Sequence, residues 1–528
     1  MTGHSTHENR EIPGIPVQLS TAGRTGGKGA SPTAAVYVPG KSDIGVVPMK
    51  LSNNPALMAG AEMAEGRPVT KGNSEQPTAT GTQSLGQALS GLSRVRMAAK
   101  KDGKAQFTSL MHHITPELLA EAYRSLKRQA SPGMDGMTWE HYGENLHGRI
   151  EDLHQRVQSG RYHAQPSKRV WIPKADGRMR PLGVAALEDK VVQMATCWVL
   201  NAIYEEDFAG FSYGFRPGRS QHQALDAIWV GITSRPVNWV LDADIRSFFD
   251  TLDHEWLLKF IRHRIADQRM LRLIQKWLRA GVSEAGAWSK TTAGTPQGSV
   301  ISPLLANVYL HYVLDLWVKW WRKQKAQGEV VIVRYADDFV MGFERRTDAE
   351  RFLADMQERL ATFALSVHPE KTRLIEFGKL AAASRARRGE RKPETFDFLG
   401  FTHMCGKTLD QKRFLLLRKT MKTRVHRIIE HVKAGLKLRW NSSIEEQGRW
   451  MKSVLQGVFN YYAVPTNGRR LNGLRQRISL LWLKRIRKKS HRAKMKWETM
   501  TKIIRSWIPT VRIVHPYPNR RLIVMDPR

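Results

Sequence analysis

The stretch VIVRYADDFVMGF, residues 331–343, sets two carboxylates side by side inside an apolar run. Its Val, Ile, Phe and Met residues on either side of Asp337 and Asp338 read as two short β-strands with the acids at the tip between them. Two like charges at such a tip repel each other and are costly in isolation. A divalent cation reverses that cost, because it binds hard carboxylate oxygens and favours their ionised form. The stretch therefore calls for a third acid, and VLDADIRSFFD at 240–250 supplies Asp242, Asp244 and Asp250. Side chains alternate along a strand, so Asp242 and Asp244 share a face. Were the two strands neighbours, that face would meet the tip. Asp242 reads as a solvated or capping acid rather than a ligand, and Asp250 as a cap or pairing partner. Three carboxylates around two Mg²⁺ ions suit in-line displacement at phosphorus, with one ion on the attacking 3′-hydroxyl and the other on the leaving pyrophosphate. A triphosphate also needs cations, and IPKADGRMRP at 172–181 offers Lys174 and Arg180 on a hairpin turning at Asp176-Gly177.

Composition points the same way. The 528 residues are 41% hydrophobic, enough for several domains with real cores. Lys and Arg number 84 against 48 Asp and Glu, a formal charge of +36 that fits a polyanionic partner. Residues 411–528 hold 30 of the basic residues and only 5 acidic ones. The two cysteines, Cys197 and Cys405, provide neither a disulfide framework nor a zinc site, so a reducing cytosol is expected. MTGHSTHENREI lacks the apolar core of a secretory signal, and no apolar run reaches membrane-spanning length. Nucleic acid, not membrane, is the expected partner.

Residues 1–92, rich in Gly, Ser, Thr, Ala and Pro, read as a low-complexity, disordered extension. Thr115 and Pro116 open a helix over ITPELLAEAYRSLKRQ (114–129), and Asp253 caps another from about 254. A helix is expected from about Asp348 to Thr362 and a strand near 373–377. Together these strands and helices suggest an α+β fold, an antiparallel sheet with helices on one face. RFLLLRKTMKTRVHRIIEHVKAGL (413–436) reads as one basic amphipathic helix, followed by the apolar run WMKSVLQGVFNYYAV (450–464) and the most basic run, LWLKRIRKKSHRAKMKW (481–497).

Beyond these two stretches, ASPGMDGMT (130–138), VWIPKADGRMRPLGV (170–184), FSYGFRPGRSQHQAL (211–225), GTPQGSVISPLLANVYL (294–310), LSVHPEKT (365–372) and FDFLGF (396–401) complete an ordered series across residues 130–401. In that series the chain resembles a group II intron-encoded reverse transcriptase and maturase of bacterial type. The resemblance implies a right-hand polymerase: a 93–205 N-terminal extension and fingers, a catalytic 206–405 palm of antiparallel sheet and helices, and an α-helical 406–490 thumb with maturase domain X. It implies that Asp244, Asp337 and Asp338 are catalytic, with Asp244, Asp337 and the Ile245 carbonyl on two Mg²⁺ ions. Lys174, Arg180, Phe248, Gln297 and Tyr335 would bind the dNTP. Phe248 would be the ring that excludes a ribose 2′-hydroxyl, a role its neighbour Phe249 could hold instead. Lys371, Phe398, Gly400 and Arg216 would support the primer and template side. Asn460, Tyr461, Lys484, Arg485, Arg487, Lys488 and Lys489 would face RNA or DNA, although for Tyr461 and Tyr462 core packing is the slightly favoured reading.

Residues 491–528 are expected to be a short basic DNA-binding region without the H-N-H endonuclease of many relatives. The implied work is RNA-directed DNA synthesis, with assistance to intron splicing and insertion of the intron into DNA. Group II intron RNA, target DNA and dNTPs are the implied partners, in a ribonucleoprotein of the bacterial cytoplasm and nucleoid; homodimerisation is left open. The alternative is a stand-alone reverse transcriptase of DNA repair or phage defence. An RNA-only splicing factor would have lost an aspartate. An RNA-templated RNA polymerase would carry a G-D-D box and a small polar gate, where this chain has Tyr335-Ala336 and Phe248.

Overall fold

A computed structural model of the chain describes residues 79–173, 179–284, 287–289, 293–295, 298–408, 410–489 and 496–520. The strands among them, in chain order, are β1 (Ser167–Pro173), β2 (Met179–Val184), β3 (Trp239–Asp244), β4 (Val282–Glu284), β5 (Ala287–Ser289), β6 (Val330–Tyr335), β7 (Asp338–Phe343), β8 (Arg373–Glu376), β9 (Phe396–Phe398), β10 (Phe401–Lys407) and β11 (Phe414–Thr420). They form three sheets ordered β2-β1-β4-β5, β6-β7-β3-β8 and β11-β10-β9.

The middle sheet positions the acids. All its pairings are antiparallel, with Asp244 opposite Asp338 and Asp242 flanked by Val340 on one side and Arg373 on the other. Leu241, Ala243, Phe339, Met341 and Phe343 point from one face into a large core shared with the N-terminal helices. Val240, Val333, Val340 and Ile375 point from the other face into a second core, built from the helix Gln221–Ser234 and the C-terminal helices. The expectation of helices on one face is therefore corrected: both faces are covered. That explains why 331–343 is nearly continuously apolar rather than alternating, since a strand buried on both sides needs apolar residues at every position. On the second face the row changes from apolar to acidic along the strands. Val240 and Val340 are packed, while Asp242, Asp244 and Asp338 stand at the opening.

Local signals hold where capping chemistry is explicit. The Thr115 hydroxyl accepts from the Leu118 amide, and the Asp253 carboxylate from the Trp256 amide. The expected helices and strands near 346–361 and 373–376 are present. Two expectations fail. Residues 79–92, read as disordered, belong to a helix, Ala79–Lys101. Residues 414–420 form β11 on β10, and the helix starts only at Lys422. The expected domain limits at 405/406 and 205/206 lie at β10 and at the end of the helix Leu187–Asp207.

A buried tie joins β11 to the helix Gln221–Ser234, which covers the second face of the central sheet. Arg418 on β11 donates to Asp226 of the helix Gln221–Ser234 at 3.0 Å, and both are withdrawn from solvent. Breaking such a buried pair by removing one partner costs about 3–5 kcal/mol. Asp226→Ala should lose that much in urea unfolding. A loss below about 0.5 kcal/mol, the usual size of an innocuous surface change, would show that the tie holds nothing.

Candidate active site

Asp337 and Asp338 are set by a two-residue turn. Tyr335 pairs with Asp338, leaving Ala336 and Asp337 as the connection. Ala336 has φ +58°, a left-handed conformation, whereas Asp337 does not. A positive φ at the first central residue alone is the II′ pattern, whose twist matches the strands it joins. The turn delivers Asp337 to the tip and Asp338 to the first position of β7, directly across from Asp244. Directly opposed residues lie on one face with Cβ atoms about 5 Å apart. The three acids, 93 residues apart in sequence between the first and the second, thus converge by sheet register alone.

Their electrostatics are unfavourable. The Asp338 carboxyl is pushed well above the ordinary range, by burial first and then by Asp242, Asp244 and Asp337. Asp337 is raised by burial and by Asp244, with Arg180 and Lys371 acting against the rise. Burial lifts Asp242 to about 6, although Arg373 donates to it at 3.4 Å. Lys371 donates to Asp244. Among the described residues, no three His, Cys, Asp or Glu side chains already close on one point as a finished metal cage. The donor set nonetheless suits a hard divalent cation: it is oxygen-only, acid-rich and burdened by its own negative charge. Asp242 is neither a cap nor a free surface acid; it is the half-buried partner of Arg373, behind Asp244 on the same face.

The other expected site residues divide sharply. Arg180 is exposed on β2 and close enough to act on Asp337. Tyr335 flanks the turn, 6.3 Å from the Phe215 ring. Lys371 lies at the acids rather than only beside a primer. Ile245 follows Asp244 directly, and its backbone bridges to Val367. Lys174, Gln297 and the Lys489 side chain lie outside the described residues.

Four expectations are corrected by burial. Phe248 is 2% exposed and packs edge-on to Tyr309, so its ring does not face a nucleotide; Phe249 is the half-exposed neighbour. Arg216 is 3% exposed, ion-paired with Glu205 and donating to the Ala209 and Ser212 carbonyls, so it braces the chain instead of touching nucleic acid. Phe398 is 1% exposed, in the core. Tyr461 is buried and donates to the Leu399 carbonyl. That bond anchors the β9–β10 turn, where Leu399 and Gly400 have φ +46° and +82° and the glycine is half-exposed. Of the C-terminal set, Asn460, Lys484, Arg487 and Lys488 are exposed, while Arg485 lies over the Trp440 ring. Gly214, Asn307, Asp315 and Arg334, to which no role was assigned from sequence, gather behind the turn. Gly214, Asn307 and Arg334 lie within the ordered motifs, and an arginine inside an otherwise apolar strand was a signal for a buried partner; Asp315 lies outside the motifs.

The comparisons agree with this geometry. Residues 172–403 match the family model described as reverse transcriptase (RNA-dependent DNA polymerase). Protein YkfC of Escherichia coli is 37% identical over 46% of this chain and 72% of its own length. The group II intron-encoded protein LtrA of Lactococcus lactis is 36% identical over 44% of this chain, but over only 39% of its own length. The putative COX1/OXI3 intron 1 protein of Saccharomyces cerevisiae is 25% identical over 80% of this chain and 56% of its own. With the acids converging on one sheet face, the motifs in order and these relatives alongside, the chain belongs to the reverse transcriptases and is similar to group II intron-encoded members.

Proposed function

We propose that this protein copies RNA into DNA by joining dNTPs to a primer 3′ end, and that Asp244, Asp337 and Asp338 are its catalytic carboxylates. The observation that carries the reading is the register that sets Asp244 against Asp338 with Asp337 at the adjoining turn. Reverse transcriptase domains generally use divalent metal ions. Here Asp244, Asp337 and the Ile245 carbonyl are the groups proposed to hold two Mg²⁺. When bound, such ions activate the 3′-hydroxyl and neutralise the leaving pyrophosphate.

The chain's own groups do the positioning. Arg180, exposed on β2, draws the triphosphate towards Asp337, with Lys174 as its expected companion on the same hairpin. Tyr335 and Phe249 are proposed to bound the base and sugar. The Phe249 carbonyl accepts from the Thr295 amide at 2.8 Å, which ties it to the TPQGS loop that carries Gln297. Lys371 donates directly to Asp244 and so holds that carboxylate in place beside the turn. Gly400, at the β9–β10 turn, offers backbone to the primer side. Lys484, Arg487 and Lys488, on the helix Gly468–Lys489, bind phosphates without reading sequence.

The intron biology rests on the names of the relatives, LtrA and the yeast intron proteins among them. It assigns this chain a group II intron RNA to bind and help splice, and target DNA to copy it into, in the bacterial cytoplasm. No helix among the described residues is long and apolar enough to cross a membrane. Sequencing the RNA that co-purifies with the protein from its native host tests the assignment. One dominant excised intron surrounding this gene is the expected result. A heterogeneous pool would replace it with a stand-alone reverse transcriptase, the chemistry unchanged.

A further inference from the structure

Arg334 precedes Tyr335 on β6, yet its side chain is turned wholly inward. It and Asp315 are both 0% exposed. The guanidinium Nε donates to one Asp315 oxygen at 2.7 Å and Nη2 to the other at 2.5 Å. Its remaining nitrogen, Nη1, donates to Asn307 Oδ1 at 3.1 Å and to the Ala336 carbonyl at 2.9 Å. Asn307 in turn donates to the Gly214 carbonyl at 2.7 Å. Gly214 lies so close to the turn that a Cβ there would sit 2.3 Å from the Ala336 amide nitrogen. The backbone of Arg334 is also held on both sides, by the Phe211 carbonyl at 2.9 Å and the Tyr213 amide at 2.8 Å.

The helix that presents Asp315 is built for this. Asn307 and Asp315 are eight residues apart, which on a regular α-helix rotates them about 80° from each other. Between them, His311–Asp315 form a π-helical turn. Such a turn absorbs one extra residue. Seven effective steps bring the two side chains back to within about 20°. Both can then reach one guanidinium.

We propose that Arg334, clamped by Asp315 and Asn307, is a positioning residue for the carboxylate turn. By holding the Ala336 carbonyl it fixes the peptide that enters Asp337 and keeps Ala336 in its left-handed conformation. A non-glycine residue persists there only when its surroundings over-determine it. Arginine is required because one planar fork must satisfy Asp315 bidentately and still present a third direction to Ala336; a lysine ammonium does not. The inference rests on the assignment of Asp337 and Asp338 as catalytic.

The test compares full-length Arg334→Lys, the neutral double variant Asp315→Leu/Arg334→Met and Asp337→Asn in RNA-templated primer extension, with thermal melting and RNA affinity measured alongside. Arg334→Lys and the double variant are expected to lose 10- to 100-fold in kcat, the scale of a small misplacement in an active site. KM for dNTP and RNA affinity should stay within about twofold of the starting protein, since a positioning loss acts on the transition state rather than on binding. The double variant fills the same space with apolar groups, so it separates the lost clamp from a lost fold. Either variant folded and fully active, with Asp337→Asn inactive, overturns the proposal alone. Full activity of Asp337→Asn overturns the catalytic assignment beneath it. Parallel loss of melting temperature, RNA affinity and kcat in both clamp variants, or failure of both to fold, assigns Arg334 a purely structural role and also overturns it.

Discussion

Asp337→Asn is expected to abolish RNA-templated DNA synthesis while raising the melting temperature of the metal-free protein. The fall in kcat should be at least about 10²–10³-fold, the scale seen when one charge-stabilising group is removed from an active site. The rise in stability follows from the direction of the pKa shifts. Asp337 and Asp338 both have folded-state pKa values above the ordinary carboxylate range, because of burial and of neighbouring acids. A carboxyl raised on folding binds its proton more tightly in the native state. It opposes folding at pH values above its folded pKa, and that penalty disappears as pH falls towards the unfolded value. Removing the Asp337 charge removes its share of the penalty at neutral pH and relieves Asp338 as well. Mg²⁺ should raise the melting temperature of the unmodified protein by mass action, and the variant should lose most of that increment. RNA affinity should hardly move, because Lys484, Arg487 and Lys488 lie on another element. Equal loss of RNA affinity and synthesis would remove Asp337 from the chemistry. An unchanged Mg²⁺ increment would remove it from metal binding.

How much of this site was legible in the sequence depended on whether a residue's role was local or set by packing. The 331–343 hairpin was readable because β-branched and aromatic residues flank a two-residue turn, and a strand's period of two put Asp242 and Asp244 on one face. What sequence could not supply was direction. FLLLRKT has apolar and basic residues at spacings that satisfy a helix or a strand, and its pairing with β10 decided for the strand. Arg216, Phe398 and Tyr461 are the residue types that meet nucleic acid, but all three are buried: Arg216 and Tyr461 brace the backbone, and Phe398 packs in the core. Arg334 and Asp315 are 19 residues apart, and a π-helical turn, which has no simple sequence signature, brings them together. Buried polar groups must find partners, but sequence does not say which.

Phe249→Ala should let ribonucleotides in, while Phe248→Ala should instead unfold the core. The two rings are adjacent in sequence and meet edge-on, 5.5 Å apart, yet their surroundings differ. Ser247, in a left-handed conformation with φ +47°, ends the extended chain after β3 and starts the short helix Phe248–Thr251. That turn sends Phe248 inward, against Tyr309 at 6.2 Å, and leaves Phe249 half-exposed beside Asp250. A ring that excludes a 2′-hydroxyl must stand in the path of the sugar, and only Phe249 is open to it. Its loss opens space next to the sugar without breaking a metal or phosphate contact. Discrimination between dNTP and the matching ribonucleotide should then fall on the order of 10²-fold, the limit of what shape alone achieves against an added hydroxyl. Phe248→Ala leaves a cavity in a packed core and should cost about 3–5 kcal/mol. The measurement is kcat/KM for each nucleotide pair, with urea unfolding of both variants. Stable folding of Phe248→Ala together with relaxed sugar selection would return the gate to Phe248. Unchanged selection in both variants would mean that the backbone held by Thr295, rather than either ring, reads the sugar.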